Sequence, residues 1–90
     1  MKVYLLTYNA SYAGEPEDWV KVYDSYDKAK KAMEEEIEQE LMPSTWFGDL
    51  LEDKESNVVQ ERTESCFEIY KDGEWLLYHA RYEIIEKKVL

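Results

Sequence analysis

The pair Asp72-Gly73 constrains this chain more than any other feature. It lies between two runs of strand composition, CFEIYK (Cys66–Lys71) and EWLLYHARYEII (Glu74–Ile85). Asp-Gly is a favoured centre for a two-residue hairpin turn, because both central positions need positive φ. Such a turn pairs Lys71 with Glu74, and the rest of the register follows by counting outward. Tyr70 then faces Trp75, Ile69 faces Leu76, Glu68 faces Leu77, Phe67 faces Tyr78 and Cys66 faces His79. Further out, Glu64 meets Arg81 and Arg62 meets Glu83, two opposite-charge pairs of the kind that stabilise a ladder. One face of the hairpin carries Phe67, Ile69, Leu76, Tyr78, Ala80, Tyr82 and Ile84 and is expected to pack on a helix. The other carries Glu64, Cys66, Glu68, Tyr70, Trp75, Leu77, His79 and Arg81, a mixed and half-wet surface.

The rest of the chain supplies the partners of that hairpin. KVYLLTYNA (Lys2–Ala10) reads as a first strand, apolar on both faces and so central in a sheet. SYAGEPED (Ser11–Asp18) contains Gly14 and Pro16 and reads as a loop. WVKVYD (Trp19–Asp24) reads as a second strand, antiparallel to the first because the connection is short. Asp24 and Ser25 offer N-cap side chains, and a helix is expected from about Tyr26 to Met42, ending before Pro43. Its apolar stripe is Ala29, Ala32, Met33, Ile37 and Leu41. A short helical turn capped by Ser44 and anchored by Trp46, Phe47, Leu50 and Leu51 is expected next, followed by an acidic loop through Glu55. The predicted fold is one α+β domain over residues 1–90. A mostly antiparallel sheet of about four strands carries one long helix across one face and ends in a C-terminal β-hairpin.

Composition removes several function classes. The chain has 21 acidic residues against 11 basic ones, a net charge of −10 in 90 residues. Direct nucleic-acid binding needs lysine and arginine to displace counterions, and an anionic membrane repels such a surface. The complement of this charge is a basic protein surface. A single cysteine excludes an internal disulfide, and Met1-Lys2 run straight into strand sequence with no leader, so the reading is a cytoplasmic protein. Cys66 and His79 form the only pair resembling a nucleophile and base, without the third group or oxyanion site such catalysis requires. One Cys and one His cannot make a zinc site, and Asp49, Glu52, Asp53 and Glu55 lack the spacing of a calcium loop. No enzyme activity, metal or cofactor is expected.

The helix raises the functional question. Lys28, Lys30 and Lys31 stand near its start, and Glu34, Glu35, Glu36, Glu38 and Glu40 crowd its end. Both signs oppose the helix dipole. Glu34, Glu35 and Glu38 cluster on the exposed side, and Glu36 and Glu40 form a second row nearer the sheet edge. Glu34, Glu35, Glu38 and Glu40 are therefore the candidate contacts of an acidic binding surface, extended by the loops Glu15–Asp18 and Asp49–Glu55. Tyr70, Trp75 and Leu77 are candidates for a second interface, because aromatic and large apolar side chains anchor protein contacts.

The runs VKVYDSYDKAKKAMEEEIEQE and CFEIYKDGEWLLYHARYEIIEKKV resemble small proteins of Gram-positive bacteria and of their phages and mobile elements. In size, acidity and lack of catalytic parts the chain is also similar to phage anti-CRISPR proteins. The resemblance assigns no residue roles. It implies a non-enzymatic inhibitor in the bacterial host cytoplasm. Such a protein binds the basic nucleic-acid-binding surface of a defence protein, such as a CRISPR effector, by imitating DNA charge. The competing expectations are an interaction adaptor that uses the Tyr70, Trp75 and Leu77 face, and a homodimer.

Overall fold

The computed structural model describes residues 1–43, 45–52 and 57–89, apart from the side chains of Trp46 and Glu52. The elements are β1 (Lys2–Tyr12), β2 (Glu15–Tyr23), α1 (Tyr26–Glu40), α2 (Trp46–Glu52), β3 (Val58–Arg62), β4 (Cys66–Lys71) and β5 (Tyr78–Lys88). The strands form one antiparallel sheet in the order β2-β1-β5-β4-β3. It has five strands where about four were expected, the addition being the short edge strand β3. The α+β class and the helix on one face stand.

β1 is interior to the sheet, paired with β5 along its whole length and with β2 from Tyr4 to Tyr12. Its alternate residues Leu6, Tyr8 and Ala10 are buried against α1, together with Phe67, Ile69, Ala80, Tyr82 and Ile84 from β4 and β5. The helix answers with Ala29, Met33 and Ile37, one residue per turn on one stripe. Phe47 of α2 completes this core. Among the described residues, no helix covers the opposite sheet face. There Val20, Val22 and Ile85 remain exposed, so the second apolar side of β1 was not a sign of burial on both faces.

Ser25 caps α1, its hydroxyl accepting from the Lys28 N–H at 3.2 Å. The helix closes at Glu40 with Leu41 as its C-cap. At α2, Thr45 Oγ1 accepts from the Gly48 N–H at 3.0 Å and donates back to the Glu40 carbonyl at 2.8 Å. The expected cap Ser44, the side chain of Trp46 and the acidic residues Asp53 and Glu55 lie outside the described residues.

Two expectations about turns are overturned. SYAGEPED is not a loop: Tyr12 pairs with Glu15 around a two-residue turn, Ala13-Gly14, with φ of 57° and 86°. Pro16 is tolerated because β2 is an edge strand. The C-terminal hairpin, in contrast, does not turn at Asp72-Gly73 alone. Tyr70 faces His79, Ile69 faces Ala80, Glu68 faces Arg81, Phe67 faces Tyr82 and Cys66 faces Glu83, a displacement of four residues. Glu74 to Leu77 coil into a turn instead, with the Leu77 and Tyr78 N–H groups bonded to the Glu74 carbonyl. Arg62 and Glu64 leave the expected ladder, Arg62 pairing with Phe67 in β3–β4. An even displacement keeps every side chain on its side of the pleat. Phe67, Ile69, Ala80, Tyr82 and Ile84 are thus buried as expected, and only Leu76 is lost from that face, 79% exposed.

Ala13 holds a left-handed conformation that costs an L-residue with a Cβ roughly 1 kcal/mol. Ala13→Asn should relieve part of this, raising stability by about 0.5–1 kcal/mol and the melting temperature by a few degrees. Thermal unfolding followed by circular dichroism checks it, and an unchanged or lower midpoint would remove the turn assignment.

Candidate functional site

Antiparallel register places cross-strand partners on the same face. Trp19, Tyr8 and Tyr82 are such partners on β2, β1 and β5, so their rings form a row beneath the C-terminal half of α1. Tyr8 stacks on Trp19 at 5.1 Å between centroids and lies 4.8 Å from Tyr82. Tyr12, two positions further along the same face, packs beside Phe47 at 6.2 Å. Above this aromatic floor the helix supplies Glu36 and Glu40, and the edge strand supplies Glu15 and Glu17. Together they line an open cleft of about 770 Å³. That volume lies within the range of small-ligand sites.

Glu40 is the centre of the cleft. It is only 8% exposed. Its Oε1 accepts from the Tyr12 hydroxyl at 2.6 Å and from the Tyr82 hydroxyl at 3.2 Å. The Tyr8 and Tyr12 hydroxyls are themselves hydrogen-bonded. Burial pushes the Glu40 carboxyl above the usual carboxylate range; the tyrosine hydroxyls oppose the shift, and the charges of Glu17 and Glu36 add to it. Burial raises the hydroxyls of Tyr8, Tyr12 and Tyr82 as well, with the Glu40 charge reinforcing the effect. The three tyrosines therefore stay protonated and remain donors.

The other helix carboxylates divide sharply. Glu34 pairs with Arg62 and, at 3.3 Å, with Lys30; Arg62 beside it holds the carboxyl below its ordinary value. Glu36 pairs with Lys21 at 3.5 Å. Glu35 and Glu38 are exposed, and no described cation reaches them. The lysines at the helix start serve tertiary contacts: Lys30 Nζ and the Tyr26 hydroxyl both donate to the Glu64 carbonyl, and Lys28 meets Asp24 at 2.9 Å. Of the four acidic candidates, Glu35 and Glu38 face outward, Glu34 is engaged in an ion-pair network, and Glu40 is turned inward.

The second set of candidates sits at the hairpin tip. Tyr70, Trp75 and Leu77 do converge, lining a shallow pocket of about 520 Å³ with Leu76 and the turn. Trp75 stacks flat on the buried His79, centroids 4.0 Å apart. His79 also meets the Trp75 carbonyl at 2.9 Å and Asn9 Oδ1 at 3.0 Å. The Leu77 carbonyl accepts from the Gly14 N–H at 3.1 Å and from Ser11 Oγ at 3.3 Å, tying this tip to the β1–β2 turn. The displaced register separates Cys66 from His79 by four rungs, roughly 13 Å along the strands, so they form no nucleophile–base pair. Burial raises the Cys66 thiol, which disfavours the reactive thiolate. Among the described residues, no group of three or more His, Cys, Asp or Glu is arranged to hold a metal ion, and no helix is long and apolar enough to cross a membrane.

The sequence reading missed Tyr8, Tyr12, Trp19 and Tyr82 as site residues and held Glu15 and Glu17 as part of an acidic loop. A signal existed. Glu36 and Glu40 stand one turn apart on the row nearer the sheet, and Tyr8 and Tyr12 share parity on one strand. Only the tight turn at Ala13-Gly14 brings Trp19 and Glu17 opposite them, and alanine disguised that turn. Comparison with known proteins finds no matching family model, no matching curated protein and no matching solved structure.

The raised Glu40 carboxyl fixes a pH dependence. Its stabilising contribution is fully present below the unfolded value near 4.5 and is lost as pH rises through the higher native value. Ionised Glu40 thus weakens the fold at neutral pH. Glu40→Gln, which keeps the shape and an acceptor oxygen, should melt higher than wild type at about pH 7.5, with the gap closing below about pH 4.5. Melting curves at both values decide this, and a variant less stable throughout would mean the carboxylate is not strained.

Proposed function

We propose that this chain is a non-enzymatic inhibitor of phage or mobile-element type. Its acidic surface occupies the basic nucleic-acid-binding surface of a bacterial defence protein, such as a CRISPR effector, in the host cytoplasm. One observation supports this reading above the others. Glu15 and Glu17 of β2 meet Glu40 of α1 at one cleft, Glu35 and Glu38 stand exposed on the same helix, and none of the five has a described cation beside it. Mutual repulsion of such carboxylates lowers stability, and a basic partner relieves it while gaining a fast, charge-steered encounter. The negative charge of a phosphate backbone attracts the same partners by the same force.

The test is capture of partners from nuclease-treated bacterial lysate expressing candidate defence effectors, by the wild type and by Glu35→Gln/Glu38→Gln. Glu34 is left intact because its charge holds Arg62 and Lys30. A basic nucleic-acid-binding protein should be retained by the wild type, released as salt rises from about 50 to about 300 mM, and retained roughly tenfold less by the variant. Retention that ignores both salt and the two substitutions would end the proposal.

A second reading rests on the hairpin tip, where Trp75, Leu76 and Leu77 are 42%, 79% and 46% exposed in adjacent positions. An adaptor docking there would lose its partner on Trp75→Ala and respond little to salt.

A further inference from the structure

Resting on the acidic-surface reading, we propose that the cleft between β2 and the end of α1 is a receptor for one arginine side chain of the basic partner. The floor is an aromatic row of Trp19, Tyr8 and Tyr82, with Tyr8 inclined 24° to Trp19 and 36° to Tyr82. The wall is the carboxylate of Glu40, 8% exposed. The Tyr12 and Tyr82 hydroxyls both donate to Glu40 Oε1, and Oε2 accepts from no described residue. Glu15 and Glu17 close the rim from the edge strand. The protein already uses this chemistry on itself at the cleft margin. There Lys21 Nζ lies 4.6 Å from the Trp19 ring centre and 3.5 Å from Glu36. That lysine occupies Glu36 and leaves the deeper carboxylate without a cation.

Arginine fits better than lysine or a free ion for three physical reasons. A guanidinium is planar and weakly hydrated, so it enters a partly buried aromatic site at lower desolvation cost than an ammonium. It stacks on ring faces while its N–H fork reaches a carboxylate in its own plane. It cannot lose its proton in such a site, whereas a buried ammonium can. A free amino acid is disfavoured, because its own carboxylate would meet Glu15 and Glu17.

The experiment follows the Trp19 indole N–H by NMR while the protein is titrated with N-acetyl-arginine amide, N-acetyl-lysine amide and free arginine. The expected result is saturable movement of Trp19 with the capped arginine. The lysine amide and free arginine should bind roughly tenfold more weakly, and Glu40→Gln should reduce arginine affinity roughly ten- to hundredfold. Glu61→Gln, an equal loss of charge on the edge strand β3, should leave the titration unchanged. Glu17→Gln repeats the test at an exposed strand position and should also weaken binding. Equal response to arginine and lysine, no saturation, or unchanged binding by both Glu40→Gln and Glu17→Gln overturns the arginine site. Partner capture separates the two proposals. Capture that survives Glu40→Gln but is lost in Glu35→Gln/Glu38→Gln removes the arginine site alone. Arginine titration as expected, with capture indifferent to Glu35 and Glu38, removes the inhibitor reading alone.

Discussion

The two-sided pairing of β1 is the constraint on which the helix side of the molecule depends. With β2 on one edge and β5 on the other, a single register places Trp19, Tyr8 and Tyr82 on one row and Ala10 and Ala80 on the next. The large residues form the aromatic platform. The small ones let the helix approach, with Ala29, Met33 and Ile37 seated on the same face. Because strand side chains alternate, a slip of one residue in β1 would send the whole set to the uncovered face. The core and the cleft are therefore one feature of the register, and neither can be kept without the other.

The reversed charge of α1 makes sense in this frame. Its lysines do not answer the dipole; Lys30 and Lys28 reach out of the helix to Glu64 and Asp24. Its carboxylates are spread among tasks, Glu34 to Arg62 and Glu36 to Lys21. Dipole terms of a few tenths to about 1 kcal/mol per charge are easily outweighed by packing of the opposite stripe, so helix formation never required the charges to be placed well. What remains after the ion pairs are formed is Glu35 and Glu38 on the exposed helix surface and Glu40 with Glu15 and Glu17 at the cleft, none with a described cation beside it.

Much of the fold was legible because local rules agreed with it. The strand content of Lys2–Ala10, the Ser25 cap and the helix stripe all follow from spacing and cap chemistry. The misreadings have physical causes as well. Asp72-Gly73 is a strong turn signal, yet Glu74 to Leu77 coil onward because Trp75 gains the buried face of His79 and the Leu77 carbonyl gains two donors. Local turn preference is worth about 1 kcal/mol and lost to those tertiary contacts. The opposite-charge pairs that endorsed the other register were coincidental, and the observed register makes an acid–base rung of its own, Glu68 opposite Arg81. At Ala13-Gly14 the error ran the other way. The turn exists against the preference of alanine, held by long ladders on both sides. The cleft was hidden for the same reason, because Glu15, Pro16, Glu17 and Trp19 of its lining come from β2, whose start that turn decides.

Glu40 joins stability to function in a way that can be argued from one side chain. A glutamate at this helix position needs only an apolar or amide replacement to pack under Tyr12 and Tyr82. Kept as a carboxylate, it is desolvated, repelled by Glu17 and Glu36, and supported by two hydroxyl donors on one oxygen. Hydroxyl donors reduce the cost of a buried charge but do not neutralise it, and burying a charge without a counter-ion is among the larger penalties a small core can carry. Binding sites store such penalties because the ligand removes them, so that the free protein gives up stability which the complex recovers. An external cation would offset the charge of Glu40 and its repulsion with Glu17 and Glu36 while leaving the tyrosine hydrogen bonds in place, as protonation of the carboxyl would.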